Sequence, residues 1–172
     1  MGKRLSLKLL AAAALFAAMT TVVTAYILHI PVGVNGGYIH LGDTVIFLAA
    51  ALLPKPYAIG AAALGAGLAD LLTAPVWIPA TVIVKTLIAL PFTHKGDRLF
   101  SGRNVAAAIV SVLISCAGYY LAEAVMFGNW IAPALSIPVG LIQYAGSAAL
   151  FLAAALVLDR AGVKKQFSKL YT

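Results

Sequence analysis

The sequence predicts an all-α integral membrane protein: a single membrane domain over residues 1–172, built as a bundle of six transmembrane helices with both termini cytoplasmic. Three observations carry this. Of 172 residues, 63% are hydrophobic and 10% charged, with a mean hydropathy of +1.01. A soluble domain carries about 25% charged residues, so this chain has too little polar surface to cover itself in water. The apolar residues gather into long stretches separated by polar or Pro/Gly punctuation. Finally, eleven of the twelve Lys and Arg residues fall in connections that can all lie on one side of a bilayer, as the positive-inside rule requires of cytoplasmic loops.

The helices are expected at roughly 5–28, 43–53, 56–73, 78–93, 104–125 and 136–159. The first follows Lys3, Arg4 and Lys8, and Val23-Thr24-Ala25 loosely resembles a signal-cleavage site. Its apolar run exceeds the usual signal core and is long enough to span roughly 30 Å of hydrocarbon, so it reads as a retained helix. The stretch Ile30-Pro31-Val32-Gly33-Val34-Asn35-Gly36-Gly37 cannot be regular helix and makes the first outer connection a structured loop, a lid. The second helix is short. Pro54-Lys55-Pro56 breaks it from the third as a tight turn, because proline removes a donor and biases its predecessor away from helix. Lys55, then Lys95, Arg98 and Arg103, then Arg160, Lys164, Lys165 and Lys169 all fall inside, while the outer connections 29–42, 74–77 and 126–135 carry no Lys or Arg. An odd number of spans would break this alternation.

The net charge of +7 does not indicate nucleic acid, because the cations flank apolar spans instead of forming one phosphate-binding face. The single cysteine, Cys116, excludes an intramolecular disulfide and reads as a small buried hydrophobe. No Walker-type, dinucleotide-binding or His-Glu-x-x-His motif occurs, so ATP-dependent work would need a partner chain. No cofactor or metal is expected.

The twelfth cation, Lys85, lies inside an apolar stretch, and an ionisable residue at membrane depth is a functional-site hypothesis by default. Counting 1.5 Å per residue from the outer helix ends puts Lys85 and Gln143 roughly 10 Å down and Tyr119 roughly 9 Å down. Asp70 and Glu123 lie above that layer, and Asp43 begins the second helix. Asn35, Tyr38 and His40 in the first loop, Trp77 in the second outer loop, and Asn129 and Trp130 in the third add donors and rings. The expected picture is a small outward-open pocket floored by Lys85, with Asn35, His40, Asp70, Trp77, Tyr119, Glu123 and Gln143 as further lining. Plainer roles stand beside these. Lys85 could pair with Asp70 or Glu123 for structure, Trp77 and Trp130 could be interface aromatics, Asp43 an N-cap, and His40 a solvated loop residue. Tyr120 and Tyr144 cannot be oriented from sequence. In the first helix, Ala13-x3-Ala17 and Ala14-x3-Ala18 align small residues that permit close helix approach, either within the bundle or to another membrane protein.

Gly37-Tyr38-Ile39-His40-Leu41-Gly42-Asp43, Gly67-Leu68-Ala69-Asp70-Leu71-Leu72 and Pro79-Ala80-Thr81-Val82-Ile83-Val84-Lys85 together resemble the substrate-binding S component of energy-coupling factor (ECF) vitamin importers. The riboflavin-type and hydroxymethylpyrimidine/pyridoxine-type branches are the most similar. The resemblance implies a bacterial or archaeal cell-membrane protein that captures a vitamin from outside, using helices four to six and the outer loops. It also implies docking through Ala13, Ala14, Ala17 and Ala18 onto a transmembrane coupling protein driven by two ATPases, and toppling of the whole component in the membrane. One cation with several acids and aromatic walls suits a flat polar heterocycle such as pyridoxine or a hydroxymethylpyrimidine. Riboflavin is the alternative and would need a larger cavity. Two other classes stand beside it: a stand-alone proton-coupled carrier, and an intramembrane enzyme or metal site on His40, Asp43, Asp70 and Glu123, which lacks a helical His-x3-His or an acidic pair of standard spacing.

Overall fold

A computed structural model describes residues 6–27, 29–32 and 37–170. Its elements run α1 (Leu7–Tyr26), β1 (Ile30–Val32), β2 (Gly37–Ile39), α2 (Gly42–Leu52), α3 (Lys55–Thr73), a 3₁₀ turn (Pro75–Trp77), α4 (Ile78–Ala89), α5 (Gly102–Phe127), α6 (Ala132–Arg160) and α7 (Val163–Ser168). The protein is thus an all-α membrane protein with one small hairpin. Four helices, α1, α3, α5 and α6, are long and apolar enough to cross a bilayer. The other two apolar helices are shorter. Eleven residues of α2 extend only about 16 Å.

The expected first loop is an antiparallel hairpin pairing Ile30 with Ile39 and Pro31 with Tyr38. Helix punctuation follows local chemistry. Pro54 occupies the N-cap of α3 and Pro56 lies in its first turn, where a missing N–H costs nothing. Ser101 caps α5 by accepting the Asn104 N–H. Gly128, at φ 64, ends α5 in the left-handed region. Asn129 accepts the N–H groups of Ile131 and Ala132 and so begins α6. The connection between α5 and α6 is accordingly much shorter than 126–135. The C-terminal tail contains α7, set off from α6 by Gly162 at φ 69.

The core surrounds α2, which packs against α1, α3, α4 and α6 and buries ten of its eleven residues. Phe47 of α2 packs on Phe92 and Phe151, with ring centroids 4.9 and 5.9 Å away. Helix α1 packs closely on α3. A methyl added at Gly65 would lie 2.6 Å from the Ala17 carbonyl oxygen, and Thr21 Oγ1 donates to the Gly65 carbonyl at 2.8 Å. Small residues therefore do permit tight packing here, but they divide. Ala13 and Ala17 are buried within the bundle, whereas Ala14 and Ala18 are exposed.

The loop between α4 and α5 is fastened by Asp159, which accepts the N–H groups of Leu99 and Phe100 at 2.7 and 2.9 Å. Lys164 of α7 is buried and donates its ammonium to the Ala51 carbonyl in the last turn of α2. Burial lowers its pKa to about 8.

Candidate functional site

A cavity of about 360 Å³ opens among the hairpin, α3, the 3₁₀ turn, α4, α5 and α6. Of the predicted lining, His40, Asp70, Trp77, Lys85, Tyr119, Glu123 and Gln143 all border it. Asn35 lies outside the described residues. Trp130 is exposed and does not border the cavity; it packs outside on Tyr120, whose hydroxyl donates to the Trp130 carbonyl at 3.2 Å.

Lys85 forms the floor, on the buried face of α4 one turn below Thr81. It is 1% exposed, and its Nζ stands 2.6 Å from Asp43 Oδ1. The partner therefore differs from both expected carboxylates, Asp70 and Glu123. The N-cap expectation for Asp43 also fails. Helix α2 begins at Gly42, Leu41 occupies the N-cap position without a side-chain bond, and Asp43 is fully buried. The reason is close packing: a methyl on Gly42 would lie 1.9 Å from Thr24 Oγ1, so the helix starts pressed against α1 and carries Asp43 inward. The contact is an ion pair without directed hydrogen-bond geometry. The same ammonium lies 5.0 Å from the centroid of the Tyr119 ring, within cation–π range.

Above the floor come aromatics. Tyr119 and Tyr144 are nearly parallel, 11° apart with centroids separated by 6.2 Å, and Trp77 lies 6.1 Å from Tyr119. The Tyr119 hydroxyl shares a 3.0 Å hydrogen bond with Thr81. Tyr144, Tyr120, Thr81 and Cys116 also line the cavity. Sequence reasoning missed them as site residues, although Thr81 and Lys85 share a helix face at the i, i+4 spacing.

The hairpin closes one side. Tyr38 donates its hydroxyl to Asp70 Oδ1, and burial together with the Asp70 carboxylate pushes its pKa up, so the proton stays on the phenol. Asp70 Oδ2 is buried without a hydrogen-bond partner among the described residues. His40 accepts the Gly42 N–H on Nδ1 at 3.0 Å and packs its Nε2 against the Gln143 amide at 3.2 Å. Its backbone N–H donates to Gln143 Oε1 at 3.3 Å. Burial lowers its pKa to about 3, so the ring is neutral and no solvated loop residue. Among the described residues, no three His, Cys, Asp or Glu side chains gather as a metal site.

The site can therefore hold a flat molecule against tyrosine rings, offer carboxylate acceptors at its upper wall, and present a paired ammonium at its floor. Residues 4–160 match the family model described as "ECF-type riboflavin transporter, S component". A Pyrococcus woesei protein described as "Uncharacterized protein in gap 3'region" is 27% identical over 108 residues, covering 62% of this chain and 72% of that protein.

Proposed function

The chain belongs to the S-component family of ECF-type riboflavin transporters, and from that premise we propose that the cavity above Lys85 is where it captures its vitamin. An S component is a multi-pass membrane transport protein, not an enzyme; its family implies a vitamin substrate and an ECF module as partner. The finer reading is a six-span bundle with both ends cytoplasmic, taking the vitamin from outside and passing it to a transmembrane coupling protein with two ATPases. The inward bias of eleven cations supports that orientation.

The observation that carries the binding site is the convergence of seven polar and aromatic residues from the hairpin region and four helices on one cavity of about 360 Å³. Such a volume lies at the lower end of small-molecule sites. Asp70 on the cavity wall offers a carboxylate acceptor to a ligand N–H or O–H. Riboflavin, the vitamin in the family's description, carries both a flat ring system and hydroxyl donors. The modest cavity also suits a single-ring heterocycle of the pyridoxine or hydroxymethylpyrimidine kind. Mass spectrometry of the molecule that copurifies with detergent-solubilised protein decides between them. Riboflavin or a one-ring vitamin at near one-to-one stoichiometry is the expected result. Failure of the purified protein to retain or bind either class would overturn the assignment of this cavity.

A further inference from the structure

Resting on that reading, we propose that Asp43, from outside the cavity wall, cancels the charge of Lys85 and so sets the site's preference for uncharged ligands over their phosphorylated forms. Lys85 lines the cavity and Asp43 does not. Both are buried to 1% side-chain exposure with 2.6 Å between Nζ and Oδ1. The cation therefore reaches the site already matched, and its Nζ also lies 5.0 Å from the centroid of the Tyr119 ring. The other acidic lining residues are Asp70 and Glu123. A ligand in the cavity thus meets a neutral floor and an acidic upper wall. A phosphate there would be desolvated beside carboxylates with no free cation, which is costly. A bare Lys85 would reverse this, since ammonium is a phosphate binder. Asp43 is then a positioning and charge-matching residue, not a ligand contact.

The chain's single cysteine supplies a readout that needs no vitamin. Cys116 is half-buried and lines the same cavity. The ratio of its modification rates by an anionic and a cationic methanethiosulfonate reports the local potential. A unit charge at roughly 10 Å through an effective dielectric near 20 alters such a rate on the order of tenfold. Because the two reagents respond in opposite senses, Asp43→Asn is expected to shift the ratio about a hundredfold toward the anionic reagent. Lys85→Gln is expected to shift it about a hundredfold the other way, and the double variant to return it to the wild-type value. Lys85→Gln serves should Asp43→Asn fail to fold, and the neutral double variant serves should both singles fail. Unchanged ratios in the single variants, or a double variant that departs from wild type, overturn the proposal. In a parallel arm, Asp43→Asn narrows the affinity gap between riboflavin and riboflavin 5′-phosphate at least about tenfold. Riboflavin bound with an unchanged gap would sink the charge-matching idea and leave the vitamin site standing. The Cys116 shifts without vitamin binding would do the reverse.

Discussion

The Tyr38 hydroxyl donates to Asp70, which ties the second strand of the hairpin to the C-terminal end of α3 across one wall of the cavity. This is the link by which that strand is fastened beside the cavity. A hydrogen bond to a charged acceptor contributes about 1.5–3 kcal/mol. Tyr38→Phe should therefore weaken vitamin binding on the order of tenfold or more, mostly through faster release, while leaving the melting temperature of the unliganded bundle nearly unchanged. Stopped-flow dissociation measures this; an unaltered off-rate would show that the clasp does not control escape.

The buried pair of Lys85 and Asp43 separates binding from stability. Lys85→Ala strands a buried carboxylate and should destabilise by about 3–5 kcal/mol as well as greatly weaken binding. Combining Lys85→Met with Asp43→Asn removes both charges, and burying neutral isosteres is commonly tolerated. The double variant should regain most of the thermal stability yet still bind poorly. Recovery of affinity together with stability would show that the ammonium serves folding alone.

His40 gives a pH dependence with a definite sign. Its pKa falls from 6.5 to about 3 in the folded protein, so the unfolded chain takes up the proton first as pH drops. Stability is thus level above pH 6.5 and declines below it toward pH 3, at up to about 1.4 kcal/mol per pH unit. His40→Gln should flatten that decline in thermal melts at pH 7.5, 6.0 and 5.0. An equal slope in both proteins would place the acid sensitivity elsewhere.

The two alanine rows of α1 should behave differently. Ala13 is 6% exposed, so Ala13→Trp overpacks the bundle, at about 1–3 kcal/mol or more, and lowers its melting temperature. Ala14 is exposed, so Ala14→Trp should leave stability and vitamin binding intact while blocking uptake with the ECF module. Normal uptake by Ala14→Trp vesicles would remove this outer row from any docking role.

How far was this legible beforehand? Apolar runs and loop charges located all six apolar helices, and estimated depth alone grouped Lys85, Tyr119 and Gln143. Depth along a helix is linear in sequence, so residues on different helices can be compared without knowing the packing. Rotation about the axis is not linear in this way. That is why Tyr120 and Tyr144 could not be oriented and why Ala13 and Ala14 could not be told apart. The partner of Lys85 escaped for a related reason. Asp43 stands at a helix start, where a cap is the local expectation, and only the close approach of Gly42 to Thr24 turns it inward. The hairpin pairing and α7 depend on contacts distant in sequence, which no short window contains.

Helix α2 is too short to reach from one face of a bilayer to the other, yet each of its ends is met by a side chain. Asp43 stands in its first turn with Lys85 beside it, and Lys164 donates into its last turn at Ala51. An isolated helix exposes partial positive charge at its start and partial negative charge at its end, which must ordinarily be solvated. Here the start holds a carboxylate paired with Lys85, and the end receives the Lys164 ammonium, both supplied from within the fold. The central rod is electrically closed, and it depends less on water or lipid headgroups to complete it.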